Sequence, residues 1–168
     1  PLYIARRMVR FATEDVGLAD PQALAIALNA KQAYEFLGSP EGDLALAEAA
    51  VYLASAPKSN RIYEAFSMVK KDVEAAPFEP VPLNLRNPVT DHMKKWGYGQ
   101  DYVYAHDFSE ATTGMETMPE RLRGRRYYNP GNMGMEKEIG KRMEWWNSLK
   151  KKLREKGPPK PDGKVTGK

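Results

Sequence analysis

"DPQALAIALNAKQAYEFLGSPEGDLALAEAAVYLASAP", residues 20–57, reads as two helices punctuated three times by proline. Asp20 is a side-chain cap, and Pro21 suits the first helical position, where a missing N–H costs nothing. Gly38 closes that helix, since glycine accepts the backbone angles of a helix end without a Cβ penalty. Ser39-Pro40 repeats the device and opens a third helix, "PEGDLALAEAAVYLAS". Ala45, Ala47, Ala49, Ala50 and Ala54 leave little bulk on it, which predicts close approach of a neighbouring helix. Pro57 stops it.

The flanks continue the theme. Ile4, Met8, Phe11/Ala12 and Val16 recur at helical spacing, so residues 2–14 read as an amphipathic helix. Ser59 caps a fourth helix whose stripe is Ile62, Phe66, Val69 and Val73. Connections of a few residues predict antiparallel neighbours and a mainly α, compact helical bundle over residues 1–76. A cadence of about twenty residues also suits a helical solenoid, but no side-chain signature repeats between the units.

The second half is different. "PFEPVPLNLRN" (77–87) has three prolines in six positions and cannot be helical. Asn87-Pro88 predicts the cap of a short helix, "PVTDHMKKW", ending at Gly97. Tyr102-Val103-Tyr104 alternates like a brief strand. Residues 77–130 therefore read as an ordered, aromatic-rich excursion with one short helix. A long amphipathic helix is expected within 131–156, beginning near Asn132. Met135, Ile139, Met143, Trp146, Leu149 and Leu153 form its stripe, and Gly157-Pro158-Pro159 ends it. Residues 157–168 have the composition of a disordered basic tail.

At 168 residues the chain fits one domain, or one with appendages, and needs no staples to hold a core. The absence of cysteine excludes disulfides, thiolate nucleophiles and cysteine-based zinc or iron–sulfur sites. That agrees with a cytosolic protein. No apolar run approaches the roughly 20 residues of a membrane span, and nothing resembles a signal peptide. Pro1-Leu2-Tyr3 runs directly into a helical pattern, which suggests a piece of a longer chain. The net charge of +4 is unevenly spread: residues 145–168 carry +6 and the remainder −2. Attraction to an anionic partner therefore starts with the tail.

Motifs for chemistry are few. The phosphate-cradling spacings G-x-x-x-x-G-K-[ST] and G-x-G-x-x-G do not occur. His92 and His106 are the only histidines, too few for a zinc site without carboxylates. His106-Asp107, inside the aromatic stretch "KKWGYGQDYVYAHDF" (94–108), is either an acid/base pair or part of a folded loop. No catalytic residue is assigned, and no metal ligand. "RLRGRRYY" (121–128) sets Arg123, Arg125 and Arg126 beside two tyrosines, a mixture able to hold phosphates and stack on bases. It equally suits arginines paired with Glu116 and Glu120 and tyrosines turned inward. "KKKLREK" (150–156) offers Lys150, Lys151, Lys152 and Arg154 as phosphate contacts, or as cations favoured at a helix C-terminus. Trp145-Trp146 is a candidate stacking platform, with Trp146 also on the apolar stripe.

Four stretches in order carry a family resemblance: "PLYIARRMVRFATEDVGLADPQAL", "LGSPEGDLALAEAAVYLASAPKSNRIYEAF", "VPLNLRNPVTDHMKKWGYGQDYVYAHD" and "GRRYYNPGNMGMEKEI". Over about residues 1–143 the chain resembles the C-terminal part of the MgsA/RarA replication-associated recombination proteins, AAA+ ATPases with a eukaryotic relative, the Werner helicase-interacting protein. The resemblance implies a helical oligomerization region that follows the ATPase module and assembles into homotetramers. It also implies that ATP and magnesium belong to an upstream module, with no cofactor in this segment. Implied partners are a second copy, single-stranded or forked DNA at stalled replication forks, and single-strand binding protein. The implied location is the cytoplasm, at the nucleoid, with no membrane. "GYGQDYVYAHD" falls within the resemblance and so reads as architecture. Residues 144–168 lie outside it, and a stand-alone nucleic-acid-binding module using this basic helix is the alternative function.

Overall fold

The computed structural model describes residues 1–107 and 112–156. Among the described residues there are six α-helices and no strand, so Tyr102-Val103-Tyr104, read above as a brief strand, is irregular chain with no partner ladder. No helix among the described residues is long and apolar enough to cross a membrane. Residues 157–168, expected to be disordered, lie outside the described residues. The described residues form two compact units interleaved in sequence, Pro1–Ala75 with Arg126–Lys141, and those within Ala76–Arg125 with 142–156.

In the first unit α1 (Leu2–Phe11) runs into a single wide π-turn (Ala12–Val16) and a 3-10 turn (Gly17–Ala19). Next come α2 (Gln22–Leu37), α3 (Asp43–Ser55) and α4 (Arg61–Ala75). Helices α1, α2 and α3 pack on one another, and α4 packs on the turns after α1. Asp20 does cap α2: its Oδ1 accepts the Gln22 N–H at 3.0 Å, while its Oδ2 accepts the Tyr52 hydroxyl of α3 at 2.6 Å. That bond raises the Tyr52 pKa, with burial adding to it. Ser59 caps α4 through the Arg61 N–H at 3.3 Å. Lys58 closes α3 by donating to the carbonyls of Leu53 (2.8 Å), Ala54 (3.3 Å) and Ala56, the favourable place for a cation.

The core is built from small residues. Among the described residues, nine of the twelve buried hydrophobic ones are alanine, so the helices approach closely but bury little area per side chain. A buried methyl group contributes roughly 0.8 kcal/mol, against about 1.5–3 kcal/mol for a leucine. Two details differ from the sequence reading. On α1 and the π-turn after it the inward row is Ala5, Met8, Ala12 and Val16, and Ile4 is exposed. On α3 it is Leu46, Ala49 and Leu53, with Ala45 partly covered, while Ala47, Ala50 and Ala54 face out.

Residues 127–136 are stapled to this unit. Tyr127 donates to Asp72 Oδ2 at 2.9 Å, and the Met135 N–H donates to the Ala19 carbonyl at 2.8 Å. Glu136 is fully buried at the start of the last helix, α6 (Glu136–Lys156). It accepts the Tyr128 hydroxyl at 2.7 Å and the Gly131 N–H at 2.9 Å. Gly134 takes φ +51°, and a Cβ there would overlap the Ala19 carbonyl and Pro57. This anchoring delays the helix: residues 132–135 form the turn beneath it, and α6 begins at Glu136, not near Asn132.

In the second unit a 3-10 turn (Leu83–Leu85) interrupts the proline-rich chain. The short α5 (Asp91–Lys95) is capped by Thr90, whose Oγ1 accepts the Met93 N–H at 3.3 Å. The expected Asn87-Pro88 cap is thus displaced by three residues, since Thr90 has the extended backbone a capping hydroxyl needs. The residues after α5 double back: the Gly99 N–H reaches the Leu83 carbonyl at 2.9 Å, with Gly97 and Gly99 both at positive φ. Arg86 donates to the Val81 carbonyl at 2.7 Å and lies 5.1 Å over the Tyr98 ring.

Candidate functional site

Two features of the surface have chemical content. The first is on α4. Spacing put Ile62, Phe66, Val69 and Val73 on one stripe, and they do share a face, but only its Val69 edge, beside Ala65, is partly covered. Ala65 is the buried residue of α4, whereas Ile62 is 38%, Phe66 57% and Val73 55% exposed. Lys70 lies 4.8 Å over the Phe66 ring and leaves it open to solvent. Phe36 on α2 and Leu44 on α3 are more exposed still, at 89% and 76%. Close packing of alanines is thus achieved by turning bulky apolar residues outward.

The second feature is α6 beyond residue 142, in the second unit. Met143, Trp146, Leu149 and Leu153 are partly covered along one side. Trp145 is 56% exposed and meets Trp146 edge-on, ring centroids 4.5 Å apart. Lys150, Lys151 and Lys152 are exposed. Arg154 differs from them. Its guanidinium donates to the Gly114 carbonyl at 2.8 Å and to Glu116 at 3.3 Å, tying the helix to the 114–118 segment. Glu116 also accepts the N–H groups of Thr117 (3.0 Å) and Met118 (3.1 Å). Its pKa is held below the usual carboxylate value, chiefly by Met118, with Thr117 and the Arg154 charge assisting against desolvation.

The segment 121–128 is divided between the units. Arg121, Arg123 and Arg125 belong to the second unit, Arg126 to the first. Arg121 pairs with Glu79 and Arg123 lies 4.0 Å from Glu120. Arg126 donates to the Tyr128 carbonyl at 3.4 Å. Tyr127 and Tyr128 are half-buried, with their hydroxyls turned inward onto Asp72 and Glu136. Desolvation, then the Glu136 bond, pushes the Tyr128 pKa well above the ordinary phenol value. Sequence reasoning missed Glu136. A lone glutamate at a helix start reads as a solvated first-turn acid, and only the tertiary staple buries it.

His106 is exposed, its ring 5.1 Å from that of Tyr104. The Asp107 side chain lies outside what the structure describes. Among the described residues no three His, Asp or Glu side chains converge in a way that would hold a metal ion.

Known proteins place the fold in context. A family model described as "MgsA AAA+ ATPase C terminal" matches residues 1–147. A Replication-associated recombination protein A of Coxiella burnetii is 49% identical over 150 residues, covering 89% of this chain and 34% of the relative. The protein of that name in Escherichia coli is 46% identical over 146 residues, covering 86% and 33%. "ATPase WRNIP1" of Dictyostelium discoideum is 44% identical over 129 residues, covering 76% and 15%. The chain thus spans about a third of the length of the bacterial relatives named here. The match runs through the alanine-packed helices, the stapled 127–136 segment and the first half of α6, and the chain belongs to the C-terminal domain family of the MgsA-type replication-associated recombination AAA+ ATPases.

Proposed function

We propose that this chain is an assembly module, the part through which a replication-associated recombination ATPase forms its homotetramer. The exposed apolar face of α4, centred on Phe66, carries the reading. A helix whose small side packs inward and whose large side faces water has its main hydrophobic driving force still to realise, and a second subunit supplies the means. In this reading the chain itself catalyses nothing and holds no cofactor. ATP and magnesium belong to an upstream module of the parent. The assembled parent would act on single-stranded or forked DNA at stalled replication forks, beside single-strand binding protein, in the cytoplasm at the nucleoid.

Light scattering on the 168-residue chain tests this against a monomer mass of 19.0 kDa. Several times that mass is expected, and Phe66→Glu should return it to monomer with the helical circular dichroism intact. A wild-type monomer at high concentration, or a Phe66→Glu protein of unchanged mass, refutes the assignment.

A second reading is favoured by the three consecutive exposed lysines of α6: the helix end contacts nucleic acid directly. It predicts binding to a single strand that weakens steeply with salt.

A further inference from the structure

Beside the lysines, the second unit has an open cavity of about 410 Å³ lined by Thr112, Met143, Trp146, Asn147 and Lys150. Its wall is an indole and a thioether, soft flat surfaces on which a nucleobase stacks. Among its described lining residues Thr112 brings a hydroxyl and Asn147 a carboxamide, which together can donate to and accept from a base edge. Its rim carries a cation. Asn147, Lys150 and Lys151 are neighbours on the helix at spacings of three and four, so their side chains emerge together. The exposed Trp145 lies against Trp146 and extends the aromatic surface.

Aromatic wall, amide and paired ammonium groups are the parts a nucleotide requires: stacking for the base, polar recognition for its edge, positive charge for its phosphate. A hydrophobic peptide would leave Lys150 and Asn147 without a role. A duplex hides its base faces. We propose that this cavity seats one unpaired nucleotide of a single strand, its base against Trp146 and Met143, its edge on Asn147 and Thr112, and its phosphates on Lys150 and Lys151. Trp145 receives the next base. The site rests on the second reading above and narrows it. Lys150 and Lys151 bind phosphate, whereas Arg154 is spent on Gly114 and Glu116 and serves only to position the helix.

The test uses the 168-residue chain with Trp96→Phe, so that fluorescence reports Trp145 and Trp146 alone. Oligo-dT and oligo-dA twelve-mers, an abasic twelve-mer of equal charge, and the free mononucleotides are titrated in turn. Base-bearing strands should quench the indoles and bind about tenfold or more tighter than the abasic strand. Free mononucleotides should bind far more weakly than strands. Asn147→Ala should lower strand affinity without changing the salt slope, and Lys150→Gln should reduce that slope by about 0.7, the value for one phosphate of a single strand. Equal affinity for abasic and base-bearing strands, with Asn147→Ala silent, would overturn the nucleotide site and leave charge alone at work. No strand binding by the wild type would remove the nucleic-acid reading itself. A mass lowered by Asn147→Ala would show the cavity covered by a second copy, which also overturns the proposal.

Discussion

Glu136 sits at the joint between the 127–131 segment and α6, and its removal is the sharpest test of how this fold is held. Its carboxylate is wholly buried, and its two oxygens take one bond each, from the Tyr128 hydroxyl at 2.7 Å and the Gly131 N–H at 2.9 Å. Hydrogen bonds to an ionised group contribute about 1.5–3 kcal/mol each, and a buried donor left without its partner costs a similar amount. Glu136→Ala deletes both bonds and leaves a cavity, so a loss of about 3–5 kcal/mol is expected. For a chain of this size that is on the order of 10 °C in Tm. Tyr128→Phe removes one such bond and should cost about 1.5–3 kcal/mol. Glu136→Gln keeps the volume, lets its carbonyl accept from Gly131 and its amide donate to the Tyr128 oxygen, and should cost about 1–2 kcal/mol. Urea unfolding followed by circular dichroism measures all three. The order Ala, then Phe and Gln together, is the signature. A Glu136→Ala protein within about 0.5 kcal/mol of wild type, as for an ordinary surface substitution, refutes the staple.

Three further outcomes follow from the same geometry. Gly134→Ala forces a Cβ onto the Ala19 carbonyl at a left-handed backbone position, and should cost more than the roughly 1 kcal/mol of a helical glycine-to-alanine exchange, in the destabilising direction; thermal unfolding reads it. Lys58→Met frees the three carbonyls at the end of α3 and should cost about 1 kcal/mol, whereas Lys58→Arg should recover part of it. The raised pKa of Tyr128 means that the folded state holds its proton where the unfolded chain releases it. This stability is fully present below the ordinary tyrosine value near 10 and declines above it, at up to about 1.4 kcal/mol per pH unit. Tyr128→Phe should flatten that decline in alkaline unfolding curves, and an unchanged slope would contradict the burial.

Local signals were legible because they act locally. Asp20, Gly38 and Ser59 terminate or start helices through bonds within two to four residues, and the sequence displays all the parts. The same legibility explains the error at Asn87: a second acceptor, Thr90, stands three residues on, and only the backbone conformation at Thr90 selects it. For the candidate sites, the cations of α6 were visible as composition. That Arg154 is committed and Lys150 faces a cavity was not visible, because Gly114, Glu116 and Thr112 come from some forty residues away in the chain.

Helix number, approximate limits and the mainly α class were thus determined by the sequence alone, since capping and 3.6-residue periodicity are properties of short stretches, and the family was legible there as a resemblance of four ordered stretches. Which face of each helix is inside was decided by tertiary structure. Periodicity reports that a stripe exists, but burial is a competition among faces for one core. On α4 the small face of Ala65 won, because it fits the close contact with the turns after α1, and Phe66 was left for water or a partner. The same competition buried Glu136, an acid no pattern would place inside, because Tyr128 and Gly131 satisfy it there.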